Sequence, residues 1–496
     1  MLLLLLLAFF LHTSRSDNTI FLSNLTLPDG ITISSQTSTD YLGRSVKSAG
    51  DFNADGYPDI IIGSYGANQA KGAAYVIFGS KNGLSDLDVS AGITPSQGMV
   101  IIGANLGDSL GYSVSYAGDF NGDGIDDVIV GAYQFDGSRG MACVIYGSTN
   151  PPATIDLAQG LDASLGYIII GASISNFFGV SVSYAGDVNN DKIDDVVIGA
   201  YGVWNYKGAA YVIFGQKGTP GFLSVGSGLS STEGFVILGS AVSGILGYSV
   251  SHAGDLDGDG IADMIFGAPG ALTAYVIYGQ NGAGTTIDLS QGLSSSQGFR
   301  IVGSEAGSMV AQSVGYAGDF NGDGYDDVVI GVPVEAGYAG AAYVIFGKPR
   351  SAISDVNLAA GLGSTIGVKI KGAAGSMSML GNSAGGARDI NGDKIDDVII
   401  GAPGASNQAG TAYVIFGSKS FDGSEIDLSN GLDPHKGFGI VGDKAQDFVG
   451  ASVSFAGDVN GDGVMDTVVG GFGVNSNAGA AYLLFSYPKG NSWRSF

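Results

Sequence analysis

The sequence predicts an all-β chain folded as a seven-bladed β-propeller of four-stranded blades, and three observations carry that prediction. An acidic string, G-D-F-N-G-D-G-I-D-D in its second copy at Gly118–Asp127, occurs seven times at intervals of 64 to 70 residues. Each interval holds four short runs rich in Val, Ile and Tyr, bounded by Gly and polar turn formers, as strands are. No segment keeps a helical period. Units that cannot bury both faces alone stack radially, and seven of them close a ring. A parallel β-helix with metal-binding turns is the rival fold, but its repeats are far shorter.

In chain order, residues 1–16 read as a signal peptide. The run MLLLLLLAFFLH has the length of a secretory apolar core, is too short to span a bilayer, and is followed by small and polar residues with cleavage expected near Ser14 or Ser16. Asn24-Leu25-Thr26 is a glycosylation sequon, with Asn24 the acceptor. The propeller is expected over residues 17–486, with residues 487–496 a C-terminal tail. Its last unit stops after the third run, Ala480–Phe485, whereas Thr19–Ser23 and Gly30–Ser34 imitate the end of a unit. The N-terminal strand is therefore expected to pair with the blade of Val459 and close the ring, which leaves no exposed edge.

The second unit shows the repeat well: Leu110–Ala117, the acidic loop, Asp127–Ala132, Met141–Gly147, a polar excursion containing Ile155-Asp156-Leu157, and Gly166–Gly171. Cys143 stands where Tyr75 and Tyr211 stand in sister units. As the single cysteine it forms no internal disulfide, and it reads as a buried structural thiol.

The acidic loops span residues 51–59, 119–127, 187–195, 255–263, 319–327, 389–397 and 458–466. Oxygen-bearing side chains recur at the first, third, fifth and ninth places: Asp51, Asn53, Asp55 and Asp59; Asp119, Asn121, Asp123 and Asp127; Asp187, Asn189, Asp191 and Asp195; Asp255, Asp257, Asp259 and Asp263; Asp319, Asn321, Asp323 and Asp327; Asp389, Asn391, Asp393 and Asp397; Asp458, Asn460, Asp462 and Asp466. Hard oxygens spaced two apart along a tight turn point at one centre, which suits Ca²⁺, up to seven ions in all. Asp, Asn and Gly also form plain turns. A turn, however, needs no Asp at the ninth place, and carboxylates held together repel without a cation. The sixth place is Gly in five copies, where positive φ is expected, but Lys192 and Lys394 in the third and sixth. The eighth place is Asp126, Asp194, Asp326 and Asp396 in four copies and Pro58, Ala262 and Met465 in the others, so it is not read as a ligand.

The formal charge is −25, and the loops hold 26 of the 46 acidic residues. Seven divalent ions would bring the charge to −11. With no basic stripe, nucleic acid is excluded as a partner, and no run is long enough for a transmembrane segment. The three histidines are His12, His252 and His435, and none belongs to a catalytic set. The chain is thus read as non-enzymatic, with His252 packing where Tyr116 and Tyr184 stand in sister units.

The strings L-G-Y-S-V (Leu110–Val114), F-G-V-S-V (Phe178–Val182) and G-A-P-G (Gly267–Gly270, Gly401–Gly404), flanking D-x-N-x-D-G-x-x-D, resemble FG-GAP repeats. Their arrangement resembles the N-terminal seven-bladed propeller of integrin α subunits. The resemblance implies calcium hairpins between the first and second strands of each blade, on the rim opposite a ligand-binding face. It implies a calcium-binding extracellular adhesion or protein-binding module, secreted or held at the cell surface through a membrane-tethered partner chain. Sequence diversity in the opposite loops, Tyr133–Asp136, Tyr201–Tyr206 and Glu335–Tyr338, makes Phe135, Trp204 and Tyr206 the candidate partner-binding residues. The alternatives are a calcium-dependent lectin binding carbohydrate, or an accessory propeller of a secreted hydrolase system. The latter arises because similar repeats accompany the separate zinc domain of a phospholipase that cleaves GPI anchors.

Overall fold

The second strand of each unit opens on the ninth-place Asp and runs through five apolar or small residues, as in Asp127–Ala132, and the third is a run such as Ala209–Ile213. Every residue of these strands but Tyr413 is buried, because a neighbouring blade covers each face. The chain is a computed structural model that describes residues 19–218, 221–303, 307–421 and 425–486. The expected signal peptide and C-terminal tail lie outside the described residues.

Seven sheets form the ring, one per repeat. Blade 1, for instance, has Ser45–Gly50 innermost, then Asp59–Ser64, Ala73–Ile77 and Gly98–Ile102, all antiparallel. The expectation of four strands per blade is corrected to five. Thr154–Asp156, in the polar excursion of blade 2, runs parallel to Gly98–Ile102 of blade 1, with Ile155 opposite Ile101. Each excursion in turn adds a short strand to the preceding blade, down to Glu425–Asp427 on Gly367–Lys371 of blade 5. Two or three residues suffice because the apolar residue plugs inward: Ile155, Ile287 and Ile426 are buried.

The N-terminal segment supplies the two missing pieces. Gly30–Ser34 lies antiparallel to Ala480–Leu484 as the fourth strand of blade 7, with Gly30 opposite Leu484. Thr19–Phe21 runs parallel to Gly437–Val441 as the fifth strand of blade 6.

Seven apolar clusters separate the blades in place of one central core. The cluster between blades 2 and 3 contains Phe120, Tyr167, Phe178, Ile198 and Tyr211. Close blade contact explains the glycine in every second strand. A Cβ on Gly63, Gly131 or Gly401 would meet a backbone carbonyl oxygen of the next blade at 1.9, 2.0 or 1.9 Å. The seven innermost strands line the axis, and a serine at the same place in each links neighbours: Val114 N–H donates to Ser45 Oγ at 3.1 Å, and Val46 N–H to Ser452 Oγ at 3.0 Å across the ring junction. No helix among the described residues is long and apolar enough to cross a membrane.

Candidate functional site

The acidic loops join the first and second strands of their blades, so all seven lie on one rim. A buried apolar residue at the second place, Phe52, Phe120, Val188, Leu256, Phe320, Ile390 or Val459, anchors each loop in the inter-blade core. In the second loop Asp119 Oδ1 accepts the N–H of Asp123 at 2.8 Å and its Oδ2 that of Gly124 at 2.9 Å. Asn121 Oδ1 accepts the Asp123 N–H as well, and Asp123 Oδ1 that of Ile125 at 2.9 Å. The backbone N–H groups thus turn the first-, third- and fifth-place oxygens into one tight hairpin.

The ninth-place aspartates are fully buried in all seven blades. Asp59 Oδ1 accepts from Gly79 N–H at 2.8 Å, beyond the third strand, and Oδ2 from Phe52 N–H at 3.0 Å. Burial outweighs these donors and pushes the carboxyls of Asp59, Asp127, Asp397 and Asp466 up to about 8, and those of Asp195, Asp263 and Asp327 well above the usual range. A nearby divalent cation reverses that balance and keeps such a group ionised.

The donor set fits calcium: hard oxygens only, with second lone pairs left on carboxylates that already accept N–H bonds. One atom argues for the fit directly. Asn391 Oδ1, at the third place of the sixth loop, is buried without a hydrogen-bond partner, the position a ligand oxygen occupies when its cation is not counted. Lys192 and Lys394 adopt φ of 74° and 69° at the sixth place, so lysine accepts the left-handed turn expected there for glycine. The Lys192 ammonium lies 3.7 Å from Asp187 Oδ2.

The opposite rim carries the turns between second and third strands and the connections between blades. Trp204 is 61% exposed and Tyr206 46%, both in the turn Val203–Tyr206, whereas Phe135 is half-buried against the core between blades 1 and 2. Asn24 is exposed in the N-terminal segment.

Sequence reading missed a larger feature on this rim, an arc of aromatic rings. Phe448 stacks on Phe472 at 5.0 Å and Tyr41 on Tyr65 at 4.9 Å. Tyr112 follows at 5.5 Å from Tyr65, Tyr133 at 4.4 Å from Tyr112, and Phe177 stacks on Tyr201 at 4.8 Å. Tyr206 joins the arc 6.2 Å from Tyr201. Arg44 lies 4.8 Å over the Tyr112 ring and donates to its hydroxyl at 3.1 Å. Tyr41, Phe177 and Phe448 precede the Leu-Gly, Phe-Gly or Val-Gly string, Tyr112 follows it, and Tyr65, Tyr133, Tyr201 and Phe472 follow the second strands; aligning these three repeat positions exposes the pattern.

The axis holds a cavity of about 90 Å³ lined by Lys47, Tyr116, Tyr184, His252, Tyr316 and Arg388, among others. His252 stacks on Tyr316 at 4.6 Å and meets Tyr184 edge-on at 5.3 Å. Burial, aided by Arg388 and Lys47, lowers its imidazole to about 3. These contacts make His252 a packing residue.

Five stretches match the FG-GAP repeat family: residues 44–77, 110–144, 246–286, 313–345 and 380–415, in blades 1, 2, 4, 5 and 6. Blades 3 and 7 have the same strand order. Integrin alpha pat-2 of Caenorhabditis elegans is 29% identical over 62% of this chain and 23% of its own length. Integrin alpha-5 of Xenopus laevis is 30% identical over 48% of this chain and 21% of its own length. The phosphatidylinositol-glycan-specific phospholipase D of Homo sapiens is 33% identical over 36% of this chain and 21% of its own length. The chain thus spans less than a quarter of these relatives.

Proposed function

We propose that this chain, an FG-GAP repeat propeller resembling integrin α subunits, is a calcium-stabilised, non-catalytic module that binds a protein partner in adhesion outside the cell. The observation that carries the reading is the division of the two rims. One presents repeated all-oxygen hairpins, and the other an aromatic arc that ends in the partly exposed Tyr206, with Trp204 exposed beside it. Tyr and Trp give large contact area at low entropic cost, which suits a docking face.

In this reading the first-, third-, fifth- and ninth-place residues of the acidic loops are the ligands for up to seven Ca²⁺, from Asp51, Asn53, Asp55 and Asp59 through Asp458, Asn460, Asp462 and Asp466. Calcium supplies positive charge among carboxylates that burial otherwise drives towards protonation. Its role is to hold the loops and, through the buried ninth-place aspartates, the ends of the third strands. The expected signal peptide, the Asn24 glycan and a membrane-tethered partner chain fit the same extracellular setting, where calcium suffices for weak sites.

The test is adhesion of cells to a surface coated with the protein, with and without Trp204→Ala and Tyr206→Ala. The reading expects adhesion in calcium that the double variant loses at unchanged melting temperature. Equal adhesion by variant and parent removes these two residues from the partner site. Binding to a glycan array instead of a protein would favour the lectin alternative.

A further inference from the structure

The fourth acidic loop differs from its sisters in what reaches it. Its third place holds Asp257 where the other six hold Asn. The Asp257 side chain is wholly buried. Oxygens of Asp255, Asp257 and Asp263 lie within 4.8 Å of one another, the one such acidic triple found among the described residues. Into this loop comes Arg350, from the excursion of blade 5. Its Nε donates to Asp257 Oδ2 at 2.5 Å and its Nη2 to Asp259 Oδ2 at 2.8 Å, while Nη2 also meets Asp257 Oδ2. The guanidinium lies 4.4 Å over the Tyr278 ring.

The placement is built into the backbone. Lys348 N–H donates to the Leu256 carbonyl at 2.9 Å and pins the start of the excursion over the loop. Other blades pin theirs in the same way: Gln216 N–H donates to Phe120 O and Ser418 N–H to Phe320 O, each at 3.0 Å. There, however, Lys217 and Lys419 only lay their methylenes beside Gly122 and Gly322, and neither forms an ion pair among the described residues. The extra carboxylate of Asp257 and the inserted guanidinium thus occur together, in one loop.

We infer that Arg350 is a built-in cation for the fourth loop: it balances the charge that Ca²⁺ balances in the sister loops, and the fourth loop does not load calcium while Arg350 is in place. The inference rests on the calcium reading of those loops. A guanidinium is always charged and presents its donors in a rigid planar fork, so it satisfies two carboxylates without the loss of hydration that an incoming ion incurs. Removing one member of a buried pair leaves an uncompensated charge, which recreates the demand for a cation.

The experiment counts calcium per chain by elemental analysis after desalting from millimolar calcium, for wild type, Arg350→Ala and Arg350→Ala with Asp255→Ala. Arg350→Gln replaces Arg350→Ala should circular dichroism show that the latter is unfolded in calcium. The expected result is one ion more in the arginine variant than in wild type, and a return to the wild-type count in the double variant. Equal counts in wild type and single variant, with calcium present in both, overturn the arginine inference and leave the sister loops standing. A wild type that holds no calcium overturns the calcium reading itself, and this inference with it.

Discussion

Asp126 of the second blade accepts the backbone N–H of Asp51, in the first, at 2.7 Å, and its other oxygen takes the Tyr116 hydroxyl at 2.9 Å. Asp194 does the same for Asp119 at 2.9 Å, Asp326 for Asp255 at 2.7 Å and Asp396 for Asp319 at 3.1 Å. The eighth place of the acidic string is thus a tie between consecutive loops. A hydrogen bond to a charged group contributes about 1.5–3 kcal/mol, so Asp126→Ala is expected to cost about 2 kcal/mol in urea unfolding. An unmoved midpoint would mean that the tie carries no net stability.

Removing calcium should lower the melting temperature steeply. One ion at ten times its dissociation constant stabilises by about 1.4 kcal/mol, and several such sites together rival the whole stability of a domain. Calorimetry in calcium and in EDTA decides: coincident transitions would count against metal in the loops.

A pH dependence follows from His252. Its folded-state value, about 3, lies below the ordinary 6.5, so between those limits the unfolded chain takes up a proton that the folded chain refuses. Its contribution to stability is therefore lost as pH falls from 6.5 towards 3, by about 1.4 kcal/mol per unit. His252→Phe, which places a ring where Phe455 stands in blade 7, should narrow the stability difference between pH 7 and pH 5 by about 2 kcal/mol. Parallel pH profiles for the two proteins would refute the assignment.

Deleting residues 19–34 removes the fourth strand of blade 7 and the fifth of blade 6 together. It uncovers the edge of Ala480–Leu484, a row of unpaired backbone groups open to strand addition. The expected result, read by light scattering and thermal melting, is oligomerisation and a lower transition. A monomer of unchanged stability would show that the ring does not depend on its N-terminal segment.

The blades were legible because one acidic string marks the same point in every unit and the flanking runs have strand composition. The fifth strands were not, since segments as short as Ile287–Asp288 carry no period, and their partners belong to another repeat. The loop aspartates were readable by place. What the eighth place binds was hidden, because Asp51 and Asp126 are 75 residues apart. Likewise the aromatic arc draws Tyr41, Tyr65 and Tyr112 from three different repeat positions, the first two in blade 1 and the third in blade 2, which only the fold brings together. Arg350 lies 93 residues from Asp257, beyond any local pattern.

The borrowed outer strand gives the molecule an order of assembly. As the polypeptide emerges from the ribosome, none of the first five blades is finished when its own residues have appeared; each waits for the excursion of its successor. The earliest described segment, Thr19–Ser34, is needed last, once Gly437–Val441 and Ala480–Leu484 exist. Its places on those two strands are filled only after both have been made, so closure of the ring comes at the end of synthesis.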